Sequence, residues 1–176
     1  ILEYLENGKY REAQTYFEKK IAATKKKSKN RYTGMEVLNL MLNYEIEQAE
    51  EKAIRVNCAV EAYHCPVDET ELCIIIGNLF DNAIEAVRNL PDEQRQIDFS
   101  IQNPNGIFRI EILNPYEGER RKIEHHYLTT KKENTEMHGL GLMSVQKIVE
   151  KYDGLIEISD EDNVFRVVVT FYNKER

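Results

Sequence analysis

Apolar residues recur along this chain in two alternating rhythms, and the changes of rhythm divide it into elements. Around residues 68 to 89, Leu72, Ile75, Ile76, Leu79, Ala83 and Val87 fall on one broad helical face, while Asn78, Asn82 and Glu85 stack at i, i+4 and i+7 on another. Asp68 with Glu71 three residues on predicts the N-terminal cap of that helix, Val67 with Leu72 a hydrophobic staple, and Pro91 its stop. Upstream, Thr33 and Glu36 fit a capping box for a helix whose apolar side is Val37, Leu38, Met41, Leu42, Ala49 and Ala53. Downstream, Leu142, Val145, Ile148 and Val149 mark a third helix that closes at Asp153-Gly154.

Period-two alternation predicts strands at Arg55 to Val60, Ile97 to Ile101 and Ile107 to Leu113, and again at Leu155 to Ile158 and Phe165 to Tyr172. Asn103-Pro104-Asn105-Gly106 turns one hairpin and Asp160-Glu161-Asp162-Asn163 the other. Residues 117 to 137 keep no steady period and predict a long, mobile loop of the functional kind. Three helices and five strands, with hairpins outnumbering crossovers, predict an α/β two-layer sandwich of mixed sheet and helices. Ahead of it, Ile1 to Asn7 reads as the end of a helix stopped by Gly8, and Tyr10 to about Lys26 as a second helix with Ala13, Tyr16, Phe17 and Ile21 on one side. So small a pair cannot bury its stripe alone, which predicts self-association into a bundle and a homodimer.

Charge sharpens the boundary between these parts. Residues 1 to 31 hold nine Lys or Arg against four Glu, a net +5, so residues 32 to 176 carry −12 of the total of −7. An acidic body argues against direct nucleic-acid binding, which needs a basic face for phosphates. The expected domains are therefore 1–31, a helical dimerisation region, and 32–176, the main body. The three cysteines form no CxxC pair, so a disulfide framework or a zinc site is not expected and packing roles are. No stretch approaches the ~20 apolar residues of a membrane span. The chain opens at Ile1 without a signal-like segment, and is expected to be a fragment with its upstream part unseen.

Two stretches carry candidate chemistry. Asparagine is a poorer helix former than Lys, Glu or Gln, so Asn78 and Asn82 on one face suggest a use for their amides, whose oxygens can ligate a hard cation without adding negative charge. His138-Gly139-Leu140-Gly141-Leu142 stands directly before the third helix, where glycines permit close approach and free N–H groups favour a phosphate. Thr129-Thr130-Lys131-Lys132 adds hydroxyls and cations just upstream.

Taken together, the Asn-bearing helix, the hairpin ending in Asn114-Pro115-Tyr116, the Thr-Thr-Lys run and the His-Gly-Leu-Gly-Leu turn resemble the ATP-binding domain of the GHKL superfamily, with its Bergerat fold. Within it, Tyr10-x-x-Ala13 and the Thr33-Gly34 helix opening are similar to the Agr-type sensor histidine kinases of peptide quorum sensing. The resemblance implies ATP and Mg²⁺ as cofactors, Asn82 as the metal ligand, and Asn78 as its polar neighbour near the phosphates. It implies Lys131 as a catalytic lid cation beside Thr130, and His138, Gly139, Leu140, Gly141 and Leu142 as the phosphate-binding turn. Asn114 stands where the superfamily usually has an adenine-reading Asp, which implies weaker charge assistance and modest ATP affinity.

Asn78 also decides a reaction class within the resemblance. ATP-hydrolysing members place a Glu there as the base for water, and an amide cannot take that proton. A kinase needs a phosphoacceptor histidine, and none of His64, His125, His126 and His138 fits, so the resemblance places it upstream of Ile1. It further implies a response regulator as partner, a peptide signal received by an upstream sensor domain, and a full-length protein at the cytoplasmic side of the membrane. A GHKL ATPase or clamp, and a nucleotide-free scaffold keeping the fold for dimerisation, stay open as alternatives.

Overall fold

The computed structural model describes residues 30–61, 65–117, 126–128 and 140–172, with 126–128 and Leu140 described by backbone alone. The helical hairpin expected over residues 1 to 26 lies outside the described residues, as does His64. In chain order the described elements are α1 (Glu36–Glu50), β1 (Arg55–Glu61), α2 (Glu69–Val87), β2 (Gln96–Gln102), β3 (Ile107–Pro115), β4 (His126–Leu128), α3 (Leu140–Lys151), β5 (Leu155–Glu161) and β6 (Val164–Tyr172), with single 3-10 turns at Asp92–Gln94 and Pro104–Gly106.

Six strands form one mixed sheet in the order β1-β2-β3-β6-β5-β4. Only β1 and β2 run parallel, joined by the crossover through α2, and every other pair is antiparallel. The helices cover one face, with α2 over β2 and β3, α1 beside it over β1, and α3 beside it over β5 and β6. The strands show the one-sided burial that this layering demands: Ile97, Phe99 and Ile101 of β2 and Phe108, Ile110 and Ile112 of β3 are buried, their neighbours less so. The α2 stripe of Leu72, Ile75, Ile76, Leu79, Ala83 and Val87 is wholly buried against them, and Phe80 meets Phe99 with ring centroids 5.0 Å apart. The expected two-layer sandwich is the observed one.

The expected helix start at Asp68 stands: its carboxylate accepts from the N–H groups of Thr70 at 2.9 Å and Glu71 at 3.4 Å. The capping box at Thr33 and Glu36 does not. Met35 is the N-cap of α1 and makes no side-chain cap, because Asn39 has already closed the entry loop by accepting from the N–H groups of Tyr32 and Thr33. Nor does Ala53 belong to the apolar side of α1, which ends at Glu50; Ala53 is exposed and takes the left-handed closing conformation, φ 57°.

Two further expectations change. A sixth strand, β4, lies inside the stretch expected to be loop, pairing with β5 from His126 opposite Ile158 to Leu128 opposite Ile156. Three residues are too few to show a period, and a pairing with a distant edge leaves no local trace. At the end of α3, Asp153 rather than Gly154 holds the left-handed position, φ 54°. Gly154 serves close packing instead, since a Cβ there would stand 2.7 Å from the Thr170 carbonyl oxygen and 2.8 Å from the Phe171 ring.

Candidate nucleotide site

The antiparallel run of α2 and α3 brings the two candidate stretches together. A Cβ placed on Gly141, in the first turn of α3, would lie 3.2 Å from Asn78 Oδ1 and 3.4 and 3.5 Å from the two amide atoms of Asn82. Glycine lets the backbone of α3 settle against both asparagines, and a first helical turn is where N–H groups lack partners inside the helix. Residues separated by some sixty positions in sequence thus share one small polar surface, facing away from the apolar stripe of α2.

The two amides differ in how they are satisfied. Asn78 is nearly buried and donates from Nδ2 to the carbonyl oxygen of Ile74 at 2.8 Å, one turn back, which holds its Oδ1 toward Gly141. Asn82 Nδ2 is buried with no hydrogen-bond partner among the described residues. A buried unpaired donor costs about 1–3 kcal/mol, so its place beside a helix start is one that an acceptor from outside would relieve. A half-turn of the amide exchanges its nitrogen and oxygen, so the same group can offer an oxygen to a cation or an N–H to a phosphate oxygen. Glu85, the third member of the stripe, is exposed and pairs only loosely with Arg88 at 3.9 Å.

Asn114 lies near the end of β3, 2% exposed and opposite Phe165 of β6, on the helix-facing side with Phe108, Ile110 and Ile112. Its Nδ2 donates to the carbonyl oxygen of Pro115 at 2.9 Å, so the end it can offer a ligand is its oxygen. The chain just beyond is tied to the β5–β6 hairpin: Tyr116 N–H donates to the Asn163 carbonyl at 3.1 Å and its hydroxyl donates to Asp160. The sequence held no sign of that anchorage. At the same sheet end, a cleft of about 660 Å³ is lined by Glu93, Asp98, Leu113, Asn114, Glu117 and Asp162 among others. Its carboxylates would repel a polyphosphate, so the cleft and the Asn78–Asn82–Gly141 surface are different places.

The remaining candidates divide simply. Thr130, Lys131, His138 and Gly139 lie outside the described residues. Leu140 and Gly141 belong to α3 itself, which begins three residues earlier than a helix following Leu142 would. Leu142 is buried in the core, leaving its backbone for a ligand. Burial pushes the thiols of Cys58 and Cys65 up to about 11 and that of Cys73 up to about 12, so all three are neutral at ordinary pH and act in packing. Among the described residues no cluster of His, Cys, Asp or Glu could hold a metal, and no helix is long and apolar enough to cross a membrane.

A domain with three helices on one face of a mixed sheet, and an asparagine-bearing central helix meeting the glycine-bearing start of the next, has known counterparts. The family model described as GHKL domain matches residues 67–172, more than half of the chain. The chain belongs to the GHKL family, with the ATP-binding domain that sensor histidine kinases carry. It is 28% identical to a probable C4-dicarboxylate sensor kinase of Halalkalibacterium halodurans over 60% of this chain and 20% of that protein. It is likewise 28% identical to the sensor histidine kinase DpiB of Escherichia coli over 54% of this chain and 18% of that one. The matched segment spans about a fifth of the length of these curated relatives. Among solved structures, the catalytic domain of histidine kinase ThkA superposes with a TM-score of 0.58 at 17% identity, over 79% of this chain and 95% of that one. The Acinetobacter baumannii histidine kinase AdeS superposes at 0.59 and 13% identity, over 98% and 83%. These likenesses are of fold.

Proposed function

We propose that this chain is the catalytic part of a sensor histidine kinase, binding Mg-ATP and passing its γ-phosphate to a histidine upstream of Ile1 for relay to a response regulator. The observation that carries the reading is the meeting of Gly141 with Asn78 and Asn82 at the start of α3, with the Asn82 Nδ2 buried and unpaired among the described residues. That donor set fits a polyphosphate with a hard cation: neutral amides, a close backbone and a helix N-terminus, with no carboxylate among the three residues. Asn82 would hold Mg²⁺, and Asn78 would line the phosphates beside the backbone of Gly139, Leu140, Gly141 and Leu142. When bound, the cation offsets charge on the phosphates being transferred. Thr130, Lys131 and His138 are assigned to the same end by their motif. Asn114 Oδ1 would accept from the exocyclic amine of adenine.

Asn78 supports transfer over hydrolysis, because its amide cannot take a proton from water. Residues 1–31 would form the helical dimerisation region and 32–176 the catalytic domain. The motifs Tyr10-x-x-Ala13 and Thr33-Gly34 support the Agr type, with a peptide signal taken up by an upstream sensor domain at the membrane. A C4-dicarboxylate, named in the Halalkalibacterium halodurans relative, is the rival signal.

The test is incubation with γ-labelled ATP. This chain should bind ATP yet neither label itself nor release phosphate above an Asn82→Ala control. Joined to its upstream helix it should form an acid-labile, base-stable phosphohistidine. Stable label on the present chain, or steady phosphate release, would overturn the assignment.

A further inference from the structure

The contact of Gly141 with Asn78 and Asn82 requires α3 to stand at one height along α2, and the far ends of the two helices hold the means of setting that height. Glu71, in the first turn of α2, receives Lys151 Nζ on both carboxylate oxygens at 2.8 and 2.9 Å and the Tyr152 hydroxyl at 2.6 Å. The same hydroxyl accepts from the N–H of Asp68, the residue that caps α2, at 3.2 Å. The ring of Tyr152 stands edge-on to Phe171 of β6, centroids 6.1 Å apart and planes at 81°. Directly after it, Gly154 fits against the Thr170 carbonyl oxygen and the Phe171 ring with no room for a Cβ. Tyr152 is thus fastened to the sheet on one side and to the start of α2 on the other.

The spacing makes this more than local packing. Glu71 precedes Asn82 by eleven residues, and Gly141 precedes Tyr152 by eleven, so each arm spans about 16 Å of helix. In an antiparallel pair, equal arms measured from one fastened end bring Asn82 level with Gly141 at the other. Apolar ridges tolerate sliding of one helix along another far better than a carboxylate held by three hydrogen bonds does.

We infer that Glu71, Lys151 and Tyr152 are positioning residues that set the register of α3 on α2, and through it the phosphate end of the site about 16 Å away. The inference rests on the nucleotide reading for its functional half, while its structural half stands on the helix pair alone. Glu71→Ala removes the acceptor of both partners. Tyr152→Phe removes the hydroxyl and keeps the ring on Phe171. Glu71→Gln keeps an acceptor for the hydroxyl.

Calorimetric binding of Mg-ATP and of adenosine to the three variants, with amide exchange at residues 141–145, tests it. Glu71→Ala should weaken Mg-ATP about tenfold and Tyr152→Phe about threefold, the scale of losing charge-assisted hydrogen bonds. Adenosine affinity should hold within about twofold and Glu71→Gln should recover most of the loss. Exchange at 141–145 should rise in the order Gln, Phe, Ala. Equal losses for Mg-ATP and adenosine would reduce the cluster to general stability and overturn the inference, as would unchanged exchange at 141–145 in Glu71→Ala. Absence of Mg-ATP binding by the unaltered chain would overturn the nucleotide reading, and the exchange order would still decide the register.

Discussion

Asn39 and Asn82 are asparagines in neighbouring helices of one domain, and their surroundings are opposite. Asn39, on α1, accepts from the N–H groups of Tyr32 at 2.8 Å and Thr33 at 3.0 Å and donates to the Thr33 carbonyl at 2.8 Å. Its amide acts as a piece of backbone, closing the loop that enters α1, and Asn43 repeats the device with Asn30 one turn on. Asn82 buries an Nδ2 that nothing among the described residues accepts from. The first amide is complete within the fold, and the second is completed by none of the described residues. Residue type does not separate structure from site here; the accounting of partners does.

That contrast predicts crossed effects. Asn39→Ala strands two backbone N–H groups and a carbonyl at a mostly buried position, so it should cost about 3 kcal/mol of stability. Nucleotide affinity of the folded fraction should be unchanged. Urea titration with ATP-analogue binding below the transition checks both, and a loss of affinity at constant stability would erase the distinction. Asn82→Ala should behave the other way. Mg-ATP affinity should fall by about 2 kcal/mol, far more than ATP affinity in EDTA, while stability holds or rises by up to about 1 kcal/mol as an unpaired donor is removed. Equal losses with and without EDTA would remove the metal from Asn82.

The asparagine that lay open to sequence reading was the one without a partner among the described residues. Asn78 and Asn82 interrupt a strongly periodic helix with residues that a merely solvated face would not favour, and Asp68 announces where that helix starts. Asn39 went unread because its partners lie six and seven residues back across a loop, and the Thr33–Glu36 pattern offered a simpler cap that the chain does not use. The strands were legible wherever the apolar pattern ran for four residues or more, which excludes β4. The clamp of Glu71 by Lys151 and Tyr152 joins positions eighty and eighty-one residues apart and leaves no periodic trace. The glycines were legible as glycines but not in their roles, since Gly141 answers to two amides on another helix and Gly154 to a carbonyl on another strand.

Gly141→Ala sharpens the comparison from the other side of the contact. In a helix, Ala is more favourable than Gly by about 1 kcal/mol, so the variant should be no less stable than the parent. Its Cβ would stand 3.2 Å from Asn78 Oδ1, close enough to displace the amides or the helix start by a few tenths of an ångström. Mg-ATP affinity should therefore drop by about 1.5 kcal/mol at undiminished stability. A stabilised variant with full affinity would show that the α2–α3 contact is packing alone.

Asn114 gives the smallest expected effect, because it stands between the two extremes. Like Asn39 it is buried and spends its Nδ2 on a nearby carbonyl, that of Pro115; like Asn82 it lies where the family resemblance puts a ligand contact. Asn114→Ala removes one acceptor from adenine and one local hydrogen bond, so ATP affinity and stability should each fall by about 1 kcal/mol. Asn114→Asp separates the two roles. A carboxylate is a stronger acceptor for the adenine amine but has no N–H for Pro115, so affinity should rise above that of the parent while stability stays low, most clearly above pH 5 where the carboxylate is charged. Adenosine binding should follow the same order as ATP, since the contact concerns the base and not the phosphates. If Asn114→Asp binds adenosine no better than Asn114→Ala, the adenine pocket lies elsewhere, and Asn114 joins Asn39 among the asparagines that only complete the fold.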